Sequence, residues 1–330
     1  MDRIRDLPQA LLPWFAEHKR DLPWRRDRLP YHVWLSEIML QQTRVEAVKG
    51  YYSRFLEALP DIPSLANAEE TLLLKLWEGL GYYSRVRNLQ KAAQEIVKLG
   101  AFPTEHSEIL RLPGIGPYTA GAIASICFEA PTPAVDGNVL RVLSRLLCRT
   151  VERKEAETLL VYPPTHRGDF TQALMELGAT VCVPNGVPHC QVCPLWELCT
   201  ARAEGRQQQY PEKKAKKPRR VEERSVFFLR CGDKIALCKR PRKGLLAGLW
   251  QLPDTEGHLE AETAIAMAEN WGVEPTAIEK TVERQHIFTH VEWHLRGIYL
   301  RCRKEAKFQW FTEEEIRQTI GLPTAYRQFL

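Results

Sequence analysis

Leu112–Ile123 reads LPGIGPYTAGAI. Two glycines two apart close a helix-like run, and Pro117 opens a second apolar run. Glycine lets a backbone approach a phosphate with no Cβ in the way. Proline suits the first position of a helix, whose free N–H groups point at an anion. The stretch therefore predicts helix, hairpin, helix, with Leu112, Gly114, Ile115 and Gly116 as candidate contacts to a phosphate, such as that of a nucleic-acid backbone. Such contacts position a protein and read no sequence. The plainer alternative is an ordinary tight turn between two helices.

The chain has 330 residues, 44% of them hydrophobic, which suits two domains with cores of their own. No apolar run reaches the roughly 18 residues of a membrane-spanning helix. MDRIRDLPQALLPWF at the start of the sequence carries charges and prolines where a signal peptide needs an unbroken apolar segment. The expectation is a cytoplasmic protein with no membrane partner, whose nine cysteines are ligands or buried thiols, not disulfides. The formal charge of +5 is largely local, because Ala201–Arg224 holds nine Lys/Arg against four Glu. That basicity permits nucleic-acid binding and equally describes a solvated linker.

From Leu7 to about Cys199 the pattern is helical, as in VWLSEIMLQQT (Val33–Thr43), EETLLLKLWEGL (Glu69–Leu80) and SEILRL (Ser107–Leu112). EGRQQQYPEKKAKKPRRVEE (Glu204–Glu223) lacks apolar periodicity and reads as a linker. Beyond it, SVFFLRCGDKIALCKR (Ser225–Arg240) predicts a hairpin around Cys231–Lys234. Ala261–Trp271 predicts a helix, His290–Cys302 alternates like a half-buried strand, and Thr312 with Glu315 predicts a capping box. The expected organisation is a mainly α domain over 1–204, a basic linker over 205–223 and an α+β domain over 224–330.

Two acids stand out. Glu37 is a lone carboxylate in the apolar stretch LSEIMLQQT: buried, it would have a raised pKa and could donate a proton near neutrality, or it could simply face solvent. Asp136, in APTPAVDGNVL, precedes an apolar helical run that it can cap, and there the helix dipole favours the ionised form.

LPGIGPYTAGAI followed by AVDGNVLRV (Ala134–Val142) closely resembles the helix-hairpin-helix DNA glycosylases of the endonuclease III group. SEIMLQQT is similar to the signature around the catalytic glutamate of the MutY adenine glycosylases in that group. The resemblance implies that Asp136 is catalytic. Group members with lysine at the position of Tyr118 form a Schiff base and nick the strand, a route closed to a phenol. It further implies that Glu37 protonates adenine at N7 and that Asp136 stabilises the oxocarbenium-like sugar, directly or through a transient adduct, as paired carboxylates do in glycosidases. Tyr118 and Asn138 would orient the carboxylates, while Trp24, Arg25, Leu40 and Gln172 would line the adenine pocket. A base inside a duplex must be flipped out, and Gln42 and Tyr82 match the residues that fill the hole.

CVPNGVPHCQVCPLWELC places Cys182, Cys190, Cys193 and Cys199 with gaps of seven, two and five. Four thiols in such a stretch are metal ligands, and spacing alone does not separate a zinc site from an iron–sulfur cluster. The resemblance implies a 4Fe–4S cluster, although the group's usual first gap is six. The extra residue is assigned to the Pro184-Asn185-Gly186 turn.

KGLLAGLWQLP (Lys243–Pro253) is similar to the start of the Nudix-like, MutT-related domain at the MutY C-terminus. Glu256, Glu260 and Glu262 do not reproduce the Nudix metal-binding helix, so a binding role is expected. HIFTHVEWH (His286–His294) places Phe288, Thr289 and His290 where MutY proteins carry a Phe-Ser-His loop that senses 8-oxoguanine. The whole implies a bacterial, nucleoid-associated, monomeric enzyme acting on duplex DNA with adenine opposite 8-oxoguanine or guanine. The rivals are an endonuclease III-type enzyme for damaged pyrimidines, a non-catalytic mismatch-binding module and a nucleotide pyrophosphatase.

Overall fold

The computed structural model describes residues 2–212 and 218–330; part of the expected linker lies outside the described residues. The chain divides into two compact units. One takes the described residues up to 67 and from 88 to 212, and the other takes 68–87 and the described residues from 218 onward.

The first unit is helical. Its central element is the helix Arg167–Thr180, which packs against Leu7–His18, Pro117–Phe128 and Gly137–Leu146. Phe170, Leu174 and Leu177 of the central helix join Leu7, Leu11, Phe15, Val139 and Leu143 in one apolar core. Burying such side chains contributes about 1.5–3 kcal/mol each. The helix Gly137–Leu146 can approach closely because Gly178 has no side chain: a Cβ there would lie 2.5 Å from Cβ of Asn138. The hairpin turn needs glycine for both reasons at once. Gly114 has φ +76, and a Cβ on it would sit 2.6 Å from that of Asn88.

The helix carrying Glu37 spans Pro30–Leu40, shorter at its C-terminal end than the expected 33–43. It stops at Gln41, whose ψ of 112 leaves the helical region, and Gln42 follows with a left-handed backbone, φ +58. Likewise the pattern over 69–80 folds as a helix only at Glu70–Leu76, before Gly79 (φ +100) and Gly81 (φ +69) turn the chain.

The second unit holds a seven-stranded sheet with β1 (Arg220–Cys231), β2 (Lys234–Lys239), β3 (Trp250–Gln251), β4 (Asp254–Glu256), β5 (Pro275–Ile287), β6 (Val291–Cys302) and β7 (Gln309–Thr312). The main order is β3-β2-β1-β6-β5, with β4 pairing β1 and β7 pairing β2. β1 and β6 run parallel from Arg220–Val291 to Arg230–Arg301, whereas β1 meets β2 in the antiparallel hairpin expected at Cys231–Lys234. Because β1 is covered on both faces, its centre is a continuous apolar run. Phe227 and Leu229 face Ala264 and Ala268 of the helix Ala261–Asn270, while Val226 and Phe228 face Ile316, Tyr326 and Phe329. The strand takes in Arg220–Glu223, the last residues of the stretch read as linker, and Tyr210 from that stretch is 9% exposed with its carbonyl bound by Arg145. The capping box of Thr312 and Glu315 is formed. Lys75 donates to the carbonyl of Ile320 at 3.1 Å, and Glu78 accepts from the N–H of Leu322 at 2.9 Å, which fastens 68–87 to the end of the chain. Among the described residues, no helix is long and apolar enough to cross a membrane.

Candidate active site and cysteine cavity

A cleft of about 690 Å³ opens in the helical unit, a size within the usual range for small-ligand sites. Trp24, Arg25, Glu37, Leu40, Gln42, Gly116, Tyr118, Asp136, Asn138 and Gln172, all singled out in the sequence, line it. Glu37 sits near the end of its helix, 7% exposed among apolar neighbours. Burial pushes its carboxyl up, and nearby Asp136 adds to this. The Tyr118 hydrogen bond and Arg25 oppose it, leaving a pKa of about 7. The solvent-facing alternative does not hold.

Tyr118, one residue inside the hairpin's second helix, donates to Oε2 of Glu37 at 2.6 Å. Its own pKa is raised, chiefly by burial and then by Glu37, so it remains a neutral donor. Asp136 is the N-cap of Gly137–Leu146, and its Oδ1 accepts from the N–H of Val139 at 2.8 Å. Its other oxygen accepts from Nδ2 of Asn138 at 2.7 Å. Arg141 in turn donates to Oδ1 of Asn138 at 2.8 Å, to the carbonyl of Gly178 at 2.7 Å and to that of Cys182 at 2.8 Å. One acid is thus raised by burial while its neighbour is held by two donors at a helix N-terminus.

The cleft contains a second buried acid that the sequence reading passed over. Glu176 is 1% exposed, and Arg20 and Arg25 reach it at 2.7 and 2.8 Å. Burial alone would push it up, but the two guanidinium groups overcome this and hold it at about 2. ALMELGAT offered the signal that marked Glu37, a lone acid in an apolar run. Its partners lie more than a hundred residues away. Trp24 is packed edge-on against Tyr52 at 5.5 Å, and the amide of Gln172 turns back to the carbonyl of Gly168 at 3.4 Å.

Other candidates lie outside this cleft. Leu112 and Ile115 bury their side chains, and the N–H of Ile115 is spent on the carbonyl of Leu112 at 3.1 Å. Gly114 and Gly116, the latter at the cleft, are exposed. In the second unit, Tyr82, Phe288, Thr289 and His290 line one cavity of about 500 Å³. Tyr82 has φ +47, is 44% exposed and hydrogen-bonds Oγ1 of Thr289 through its hydroxyl. Arg85 lies over its ring and binds the carbonyl of Gly81.

Cys182, Cys190, Cys193 and Cys199 line one small cavity together with Arg145. Nη1 of Arg145 lies 3.2 Å from Sγ of Cys182. Burial, opposed by a backbone hydrogen bond and reinforced by the neighbouring thiols, pushes Cys193 up to about 12. Among the described residues no group of three or more His, Cys, Asp or Glu is close enough to hold a single metal ion. Soft sulfur donors converging beside a cation nevertheless fit a polynuclear sulfur-ligated group.

Comparison with known proteins agrees with this geometry. Residues 35–162 match the family described as HhH-GPD superfamily base excision DNA repair protein, and residues 225–330 match a NUDIX domain. A thermostable thymine-DNA glycosylase is similar at 27% identity and a TM-score of 0.56, over 62% of this chain and 98% of that one. A trapped endonuclease III–DNA covalent intermediate is similar at 25% identity and a TM-score of 0.54, over 62% and 97%. Fold and cleft together define a helix-hairpin-helix base-excision DNA glycosylase. Adenine DNA glycosylases of Homo sapiens and of Buchnera aphidicola from Acyrthosiphon pisum are 34% and 32% identical. These matches cover 97% and 98% of this chain, and 72% and 96% of those proteins. The chain belongs to the adenine DNA glycosylase family.

Proposed function

We propose that this chain hydrolyses the N-glycosidic bond of adenine mispaired with 8-oxoguanine, and less readily with guanine, in duplex DNA. The observation that carries this reading is the pairing in one cleft of Glu37, with a pKa of about 7, and Asp136, held by Val139 and Asn138. Adenine leaves poorly as an anion, so the bond breaks once a proton reaches the base. The protonated Glu37 carboxyl donates it to N7. The C1′–N9 bond then opens toward a sugar cation stabilised by the fixed Asp136 carboxylate, and water completes an abasic site.

The phenol at position 118 has no amine for a Schiff base, so strand cleavage does not follow. The Glu176 network fixes Arg25 at the rim, which favours an ordered pocket for the flipped adenine. Gln42 and Tyr82 fill the vacated stack. Their left-handed backbones, at φ +58 and +47, store on the order of 1–3 kcal/mol each, as strained functional residues do. Phe288, Thr289 and His290 sense the opposing 8-oxoguanine.

Cys182, Cys190, Cys193 and Cys199 would hold a 4Fe–4S cluster, with the Arg145 guanidinium beside Sγ of Cys182. When bound, the cluster supplies a rigid scaffold for the surrounding loop and takes no part in bond cleavage. The protein works as a monomer. Base release from a duplex with one adenine opposite 8-oxoguanine, compared with guanine and thymine opposite, tests the reading. Release with 8-oxoguanine opposite and none with thymine supports it, and equal release from all three contradicts it.

A further inference from the structure

We propose that Trp293 is a specificity-determining positioning residue, whose indole fixes the ring of Phe288 and thereby sets discrimination between 8-oxoguanine and guanine opposite adenine. The inference rests on the sensing role assigned above to Phe288, Thr289 and His290.

Phe288 leaves β5 in a tight turn closed by its own N–H on the carbonyl of Val291 at 2.8 Å. The turn leaves Thr289 and His290 exposed; the Tyr82 hydroxyl binds Oγ1 of Thr289, and the loop's apolar anchorage is Phe288. That anchorage is aromatic. The Phe288 ring meets Trp293 edge-on at 4.9 Å and His286 at 4.5 Å.

Trp293 is held on every side. It is 1% exposed, and its Nε1 donates to Oε2 of Glu222 on β1 at 2.8 Å. The guanidinium groups of Arg224 and Arg240 lie 5.0 and 5.5 Å from its ring, and Tyr326 lies edge-on at 6.0 Å. Those groups are themselves tied to one buried carboxylate. Asp254 accepts from Arg224 at 2.9 Å and from the Tyr326 hydroxyl at 2.7 Å, and that hydroxyl accepts from Arg240 at 2.7 Å. A satisfied buried polar network of this kind specifies one arrangement of the side chains it contains. The indole cannot rotate without losing its hydrogen bond to Glu222 and its contacts with these groups, so the ring that Phe288 meets is fixed.

The test compares single-turnover rates on duplexes with adenine opposite 8-oxoguanine and opposite guanine. Trp293→Leu should lower the ratio of the two rates about three- to tenfold, the value of one aromatic pair, with the guanine-opposed rate within about twofold of the parent. An unchanged ratio, or equal loss on both duplexes, would overturn the inference. Glu222→Leu keeps the indole but removes the hydrogen bond that fixes its orientation, so it keeps the test decisive if Trp293→Leu does not fold. It should move the ratio in the same direction, and an unmoved ratio counts against the inference. Phe288→Leu separates this inference from the reading beneath it. A ratio altered by Phe288→Leu and untouched at Trp293 sinks the inference alone, whereas no effect from either sinks the sensing role itself.

Discussion

Tyr118 donates a 2.6 Å hydrogen bond to Glu37 across 81 residues of sequence. That bond pulls against the burial of Glu37 and moderates its raised pKa. The two residues meet because the helices Pro30–Leu40 and Pro117–Phe128 pack together, so the helix that follows the hairpin also tunes the Glu37 carboxyl.

The first prediction concerns pH. A donor with a pKa of about 7 is protonated below neutrality, so the single-turnover rate should hold at low pH and fall as pH rises through about 7. Glu37→Gln should abolish turnover while leaving DNA binding intact. The same shift affects stability. The folded pKa lies above the unfolded value, so protonation favours the folded state, and stability falls as pH rises from about 4.5 to 7. Above that window Glu37→Gln should be more stable than the parent, by a few kcal/mol at most, measured by denaturant melts at pH 8 and pH 5.

Tyr118→Phe removes a bond that lowers the Glu37 pKa. The descending limb of the pH–rate profile should therefore move to higher pH. A limb that stays in place, or moves to lower pH, would show that the phenol does not tune Glu37.

Glu176 holds two arginines from a buried position. Removing one member of such a network leaves uncompensated charge, at a cost of about 3–5 kcal/mol. Glu176→Ala should lose stability on that scale in chemical denaturation. Since the folded pKa is depressed to about 2, the parent's advantage should be full above about pH 5 and fade as pH falls toward 2.

Gly178→Ala would push a methyl to 2.5 Å from Cβ of Asn138, the residue that binds Asp136 at 2.7 Å. The single-turnover rate should drop about tenfold or more, the scale of a small displacement of a catalytic group, with adenine-containing duplex still bound. A rate equal to the parent's would mean that the spacing at Asn138 does not position Asp136.

The cysteine reading is tested by composition. Purified protein should carry iron and acid-labile sulfide, and Cys199→Ser should lose much of both. Bound zinc without sulfide would favour the other four-thiol site.

Much of this site was legible because its chemistry sits in short motifs. LPGIGPYTAGAI, SEIMLQQT and AVDGNVLRV each place a candidate residue within a few positions of its helix terminus, and local rules govern such termini. What the sequence hid is set by distance. Nothing in the sequence near Glu176 indicates Arg20 or Arg25, and nothing in EETLLLKLWEGL shows that residues 68–87 group with the C-terminal sheet. The helix carrying Glu37 ends short of the expected Thr43 because Gln41 and then Gln42 leave the helical region, a turn their side chains do not advertise.

The most direct test of the central claim is a single-turnover assay on a duplex with one adenine opposite 8-oxoguanine, analysed with and without hot alkali. Strand breakage only after alkali, lost in Glu37→Gln and in Asp136→Asn, is the predicted result. Breakage without alkali would contradict a monofunctional enzyme, and an intact adenine in a tightly bound duplex would contradict catalysis altogether.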